Sequence, residues 1–151
     1  AAEWIGPYDD EKLGFNKVAR NYYFPGWWEG TLQVSAYINA DAYNKLPKHY
    51  QAALSQASAA ATNDMIAKYD AENPAALRRL ISQGAQLKAF PKPVLDACYA
   101  EANKLYAEMS AASPEFKKIY DSMVAFRDNE LPWFRVAEGS YDSYMGTTIK
   151  R

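Results

Sequence analysis

The sequence of 151 residues predicts a helix-rich α/β fold. Three features indicate this class. The first 38 residues alternate short apolar stretches with glycine and proline, which is typical of strands joined by loops. From Asn39 onward the apolar residues recur at spacings of three and four, as along one face of a helix. The stretch 85–90 (AQLKAF) follows a predicted helix and alternates as a strand does, which indicates a mixed sheet.

The N-terminal segment is expected to contain two strands, 17–24 (KVARNYYF) and 31–38 (TLQVSAYI). The turn between them, from Pro25 to Gly30, contains two adjacent tryptophans followed by Glu29. The sequence therefore predicts that Glu29 lies at the end of a strand.

The middle of the chain is expected to be helical. Asn39 is suited to cap a short helix, and Pro47 is suited to the first turn of a long one. A second cap at Asn73, followed by Pro74, predicts that a separate short helix begins there and ends at Gly84.

Two further helices are predicted after this region. The first opens at Pro91 and runs through Met109, and the second opens at Ser113. Pro132 falls within the second pattern and predicts a kink or break near Leu131, because proline removes a backbone donor and clashes with the preceding turn.

The chain thus divides in sequence into three segments. Residues 1–38 supply strands and loops, 39–112 supply helices with one strand near 85–90, and 113–146 form a long C-terminal helix kinked at Pro132. An apolar stripe on that helix is ordinarily core, but its aromatics continue past Pro132, which favours a dimer contact. A purely structural oligomerisation module is a further hypothesis.

Composition excludes several classes of function. Seventeen basic and eighteen acidic residues give a net charge of -1, which lacks the electrostatic signature of a nucleic-acid-binding protein. One histidine, His49, and one cysteine, Cys98, are too few for a zinc site of the usual type. The sequence contains no GxSxG motif, phosphate-binding glycine loop or dinucleotide fingerprint. No apolar run approaches the roughly 20 residues that a membrane-spanning helix needs.

Two carboxylates flanked by tryptophan are the remaining candidates for chemistry. Glu3 stands in EWIGP and Glu29 in WWEG, on two loops that a strand pair could bring together. Hard cations prefer oxygen ligands, so two glutamates with loop carbonyls could bind one. Paired carboxylates with aromatic walls are also what a glycoside hydrolase uses. The residues alone favour the ordinary interpretation over both of these, in which both glutamates are solvated and the tryptophans belong to the core.

The stretches EWIGPYDD, YYFPGWWEG and LPKHYQ, together with SPEFKKIYDSM, carry a resemblance to a known family. The chain resembles the C-terminal portion of the DctP-like periplasmic solute receptors of tripartite ATP-independent periplasmic (TRAP) transporters. It is most similar to the branch that binds 2-oxo acids and related monocarboxylates. The sequence departs from the family pattern at Phe24, where another tyrosine is expected.

The resemblance implies a two-lobed, type II-like periplasmic binding protein with mixed sheets and no enzymatic activity. It implies a cation, Na⁺ or Ca²⁺, held by the Glu3 side chain, the Trp4 backbone carbonyl and the Glu29 side chain. Trp4, Trp28 and Glu29 would contact the carboxylate ligand, and Trp27 would help to form the wall of the site.

The resemblance also implies partners. These are a small carboxylate ligand, the membrane permease subunits of the transporter, and a second copy of the chain bound through the C-terminal helix. Members of the family are much longer than this chain, so the chain is expected to be a C-terminal portion rather than an independent domain. Residues that grip the ligand carboxylate, notably an arginine, would then lie N-terminal to Ala1.

Overall fold

The computed structural model describes residues 2–28, 30 and 34–149, and the chain forms two compact units, Ala1–Leu95 and Asp96–Arg151. Helices predominate, which confirms the predicted helix-rich α/β class. The helices and strands are α1 (Pro7–Leu13), β1 (Asn21–Phe24), α2 (Ala40–Lys45), α3 (Lys48–Ser82), β2 (Gln86–Ala89), α4 (Lys92–Ala112), α5 (Pro114–Phe134) and α6 (Ser140–Thr148). Within the described residues, no helix is long and apolar enough to cross a membrane.

The two strands pair in parallel, with Asn21 opposite Gln86 and Phe24 opposite Ala89. The strand predicted at 85–90 is therefore confirmed. The pairing brings the C-terminal ends of β1 and β2 to the same edge, and the Phe90 N–H donates to the Phe24 carbonyl at 2.8 Å.

The predicted strand 17–24 is confirmed only in its second half. Phe15–Lys17 form a 3₁₀ helix instead, because Gly14 takes a left-handed conformation (φ 72°) and its carbonyl accepts the Lys17 N–H at 3.0 Å. Of the predicted strand 31–38, residues 31–33 lie outside the described part of the chain. Residues 34–38 form no strand, because neither β1 nor β2 pairs with them and a strand needs a hydrogen-bonding neighbour.

Helix α1 lies in a region that was expected to contain only strands and loops. Pro7 occupies its first turn, where the missing N–H costs nothing, and Asp9 and Asp10 lie where the positive end of the helix dipole favours negative charge. Gly14 ends the helix. These start and stop signals are present in the sequence, but the helix is only seven residues long and shows no full apolar period.

Helix α3 runs without interruption through Pro74, so the prediction of a separate helix beginning there is wrong. Asn73 does not cap a new helix. Its side-chain oxygen instead accepts a hydrogen bond of 3.0 Å from the Tyr8 backbone N–H, which links α3 to α1. Gly84, with φ 97°, follows the end of the helix as predicted.

Two other predicted caps are confirmed. The Asn39 side chain accepts from the Ala42 N–H at 3.0 Å at the start of α2. The Ser113 hydroxyl accepts from the Phe116 N–H at 3.2 Å at the start of α5. Both interactions lie within one turn of the chain, which is why the local sequence predicts them.

The irregularity expected near Leu131 lies about one turn further along. Helix α5 continues through Pro132 to Phe134, and Arg135–Gly139 then form a π-helix before α6. A π-helix widens the turn and is a common response to an interrupted hydrogen-bond ladder.

The buried core of the N-terminal unit lies where α1 packs against α3. Its fully or nearly fully buried apolar residues are Ala76, Leu80 and Ala85. Asp10 of α1 is buried beside them, with only 6% of its surface exposed. A buried carboxylate is costly unless it is paired, so Asp10 needs a hydrogen-bond donor in this part of the unit.

Candidate functional site

A cavity of about 1210 Å³ opens in the N-terminal unit between the segment before α1 and the loop after β1. Glu3, Trp4 and Trp28, three of the four predicted site residues, line it. Glu29 lies outside the described residues. Other residues of the wall that bear on the site are Asp10, Tyr22, Tyr23, Phe24 and Phe90. The structure therefore brings the Glu3–Trp4 segment and the Trp28 loop to one cavity, and the role of each residue there stays a prediction.

The three residues present groups suited to an anionic ligand with a cation. Glu3 is exposed, and Trp4 and Trp28 keep 55% and 47% of their surface accessible. Within the described part of the chain, no N–H or O–H donates to the Trp4 carbonyl oxygen. A carboxylate and a carbonyl are the oxygen donors that sodium and calcium prefer.

The described residues contain no cluster of three or more histidine, cysteine, aspartate or glutamate side chains that could hold a metal ion. This finding does not test the expected ligand set, because Glu29, one of its two carboxylates, lies outside the described residues. The donors that are described, Glu3 and the Trp4 carbonyl, fit a hard cation.

Aromatic contacts orient the Trp28 ring. Its centroid lies 5.6 Å from that of Trp27 and 6.5 Å from that of Phe90, both in edge-to-face geometry. Phe90 in turn stacks on Tyr23 at 4.9 Å. Phe90 was not among the predicted site residues, and its signal is its position directly after a strand that pairs with β1.

Three consecutive acidic residues of α1 each accept hydrogen bonds from a different side chain. Asp9 accepts from the Tyr69 hydroxyl at 2.6 Å. Asp10 accepts from the Tyr22 hydroxyl, and Glu11 accepts three hydrogen bonds from the Arg79 guanidinium, the shortest at 2.7 Å. Tyr69 and Arg79 belong to α3, whereas Tyr22 belongs to β1.

The same contacts shift the pKa values of these groups. Burial raises the pKa of the Asp10 carboxyl, the Tyr22 hydrogen bond opposes that rise, and the charge of Asp9 adds to it. Burial, with the hydrogen bond to Asp10, raises the pKa of the Tyr22 hydroxyl. The hydrogen bonds from Arg79 lower the pKa of Glu11. Oδ1 of Asp10 has no hydrogen-bond partner among the described residues.

Comparison with known proteins gives the chain a family. The family model of the bacterial extracellular solute-binding proteins, family 7 (DctP), matches residues 1–113. A curated relative, the monocarboxylate 2-oxoacid-binding periplasmic protein of Nostoc sp., is 39% identical over 148 residues. That match covers 98% of this chain and 41% of the relative.

Two solved structures of TRAP transporter solute-binding proteins are also similar. The protein from Bordetella bronchiseptica, a mixed-occupancy dimer with copurified calcium and picolinate in an active site, is 50% identical with a TM-score of 0.93. The protein from Pseudoalteromonas atlantica, with bound sodium and pyruvate, is 30% identical with a TM-score of 0.81. The matches cover 97% and 98% of this chain and 44% of each of those chains.

The chain therefore spans less than half the length of these relatives. The matches confirm the resemblance and the fold class that it implies, part of a two-lobed binding protein. They also overturn the glycoside-hydrolase hypothesis for Glu3 and Glu29, because the family and its structures are solute-binding proteins and not enzymes. The chain belongs to the DctP family of bacterial extracellular solute-binding proteins.

Proposed function

We propose that this chain forms the C-terminal part of a periplasmic receptor that binds a small monocarboxylate together with a cation and delivers it to a TRAP transporter. The observation that carries the proposal is the presence of Glu3, Trp4 and Trp28 on the wall of one cavity. The ligand class is a 2-oxo or 2-hydroxy acid, in keeping with the Nostoc relative.

A cation solves the electrostatic problem that such a ligand creates. A carboxylate that enters a partly desolvated cavity beside Glu3 and Glu29 would be repelled by both side chains. A cation coordinated by these side chains and by the Trp4 carbonyl removes that repulsion and adds a direct contact to the ligand. Sodium and calcium both occur with carboxylates in the related structures, which supports either ion.

The half-exposed indole rings provide the apolar part of the site. Trp4 and Trp28 offer flat surfaces to a short carbon chain and keep water from the polar contacts, which strengthens those contacts. The 50% identity to the picolinate-binding protein supports testing a planar aromatic acid as well.

The proposal includes three partners. An N-terminal portion of the same receptor supplies the groups that grip the ligand carboxylate, including an arginine. The membrane permease subunits of the transporter receive the ligand. A second copy of the chain packs against the C-terminal helix, where apolar residues of α5 such as Ile119 and Phe126 are exposed.

Calorimetric titration tests the proposal. The protein, in the longest form that its gene encodes, is titrated with pyruvate, lactate, longer 2-oxo acids and picolinate, each with and without Na⁺ or Ca²⁺. We expect at least one acid to bind and its affinity to rise when one of the cations is present. No binding under any combination would reject the function.

A further inference from the structure

The candidate site depends on two segments that are far apart in sequence. Glu3 and Trp4 lie directly before α1, and Trp28 lies in the loop directly after β1. A cation that takes ligands from both segments needs them at a fixed separation, because coordination distances allow little freedom. A contact between α1 and β1 is therefore the natural place to set that separation.

The hydrogen bond from Tyr22 to Asp10 is such a contact. Tyr22 lies in β1 and Asp10 in α1, and the hydroxyl donates to Oδ2 of the carboxylate. Asp10 is buried, and its other oxygen has no partner among the described residues. The Tyr22 hydroxyl is therefore the one side-chain donor that the described residues supply to this carboxylate, so its loss leaves a buried charge without compensation.

The hydrogen bonds of the two acids beside Asp10 join α1 to a different element. Asp9 accepts from Tyr69 and Glu11 accepts from Arg79, and both donors lie in α3. These bonds attach α1 to the long helix, which carries none of the candidate site residues. Among the three acids in the row, Asp10 alone connects the Glu3–Trp4 segment with the strand that leads to Trp28.

We propose that the Asp10–Tyr22 hydrogen bond is a positioning contact, which sets the separation between the Glu3–Trp4 segment and the Trp28 loop and thereby the affinity for cation and ligand. The inference rests on the proposed function for its effect on affinity. Both residues also line the cavity, and the role proposed for them here is to act through the segments that they join.

The adjacent aspartates provide a matched pair of variants. Tyr22→Phe and Tyr69→Phe each remove one hydroxyl that donates to a neighbouring aspartate of α1. We expect Tyr22→Phe to weaken cation-dependent pyruvate binding about tenfold, comparable to the loss of a contact that orients metal ligands. Tyr69→Phe leaves the link to β1 intact and should change the affinity for pyruvate less than twofold. Unfolding midpoints of both variants show that each is folded at the temperature of the titration.

Conservative replacement of the acceptor separates positioning from a general structural role. Asp10→Asn retains an oxygen that accepts from Tyr22, whereas Asp10→Leu has a similar size and no acceptor. We expect the leucine variant to lose about as much affinity as Tyr22→Phe, and the asparagine variant to lose clearly less.

A second measurement does not depend on ligand binding. Indole N–H resonances of Trp4 and Trp28 in the ligand-free protein report the surroundings of both segments, and Trp133 in the C-terminal unit is the internal control. Tyr22→Phe should shift both resonances, and Tyr69→Phe should leave the Trp28 resonance in place. Neither should shift Trp133.

The outcomes are distinct for the two proposals. If the wild-type protein binds no acid with any cation, the proposed function is rejected, and the resonances still decide whether the contact positions the two segments. Equal effects of Tyr22→Phe and Tyr69→Phe on affinity and on the Trp28 resonance would overturn the positioning role. The same holds if Asp10→Leu binds as tightly as the wild type.

Discussion

The indole ring of Trp28 meets the ring of Phe90 edge to face, with the two planes at 73° and the centroids 6.5 Å apart. Phe90 directly follows β2, and its other neighbour is Tyr23 of β1. The parallel pairing of the two strands thus places an aromatic support under the loop that carries Trp28. A residue distant in sequence fixes the wall of the proposed site.

Replacing Phe90 by leucine should weaken ligand binding. Leucine keeps an apolar side chain but removes the ring contacts, and an aromatic pair contributes about 0.5–1.5 kcal/mol beyond its buried area. We expect the affinity for the best monocarboxylate to fall about threefold to tenfold, measured by calorimetry.

The control for this variant is Tyr106→Leu. It removes a similar aromatic contact, that of Tyr106 with Tyr120 at 5.1 Å, within the C-terminal unit. Affinity should not change in the control. Wild-type affinity in Phe90→Leu would show that Phe90 does not support the Trp28 wall.

The stability of Asp10→Asn should depend on pH in a defined direction. Burial, partly offset by Tyr22, raises the pKa of the Asp10 carboxyl above its ordinary value of 3.8, so the folded protein holds this proton more tightly than the unfolded chain. Ionisation above the raised pKa therefore costs stability. Asparagine cannot ionise, so the free energy of unfolding of the variant should rise relative to that of the wild type as the pH increases from about 4 to about 7. Urea unfolding of both proteins across this range measures the difference.

Glu11→Gln is the control of opposite sign. Arg79 lowers the pKa of Glu11, so its charge contributes stability above its ordinary pKa of 4.5 and that contribution is lost as the pH falls. Relative to the wild type, the free energy of unfolding of this variant should fall as the pH rises from below the lowered pKa of Glu11 through its ordinary value of 4.5, so the urea series is extended to that lower pH. A stability difference for Asp10→Asn that is independent of pH would contradict the burial of an ionised Asp10.

Local and nonlocal interactions explain how much the sequence could predict. The caps at Asn39 and Ser113 bond to groups three residues away, and both were predicted correctly from the local sequence. Asn73 looked like a cap as well, but its partner is Tyr8 of another helix. Residues 34–38 have the composition of a strand, yet strands also need a neighbour, which neither described strand supplies.

The same distinction applies to the site. The family resemblance, rather than the pattern of tryptophans beside glutamates alone, led to the expectation that Glu3, Trp4 and Trp28 belong to one site, and the structure places all three on the wall of one cavity. The supporting residues could not be predicted in this way. Phe90 acts through strand register and Asp10 through a bond to Tyr22, and both relationships exist only once the chain is folded.

The proposed dimer makes a prediction about α5. Phe126 is 68% exposed in the single chain, although a large aromatic ring usually finds apolar cover. We expect the wild-type protein to sediment as a dimer and Phe126→Ser to sediment as a monomer. Ile66→Ser, at a position of α3 that is 54% exposed, is the control and should remain a dimer. A monomeric wild type, or a dimeric Phe126→Ser, would argue against this interface.

Glu29→Gln tests the second proposed carboxylate ligand. The amide keeps the size of the side chain but removes the charge that attracts the cation, so cation-dependent binding should fall about tenfold or more. Glu108→Gln on the exposed surface of α4 makes the same chemical change outside the cavity and should have no effect. Unchanged affinity in Glu29→Gln would remove that residue from the site.

The most direct test is the coupling between cation and carboxylate in the wild type and in Glu3→Gln. Titration of the acid at increasing Ca²⁺ or Na⁺ should give an affinity that rises with cation concentration in the wild type. The rise should largely disappear in Glu3→Gln, with a loss of about tenfold or more at saturating cation. Carboxylate binding of equal strength with and without the cation, or in both proteins, would contradict the account.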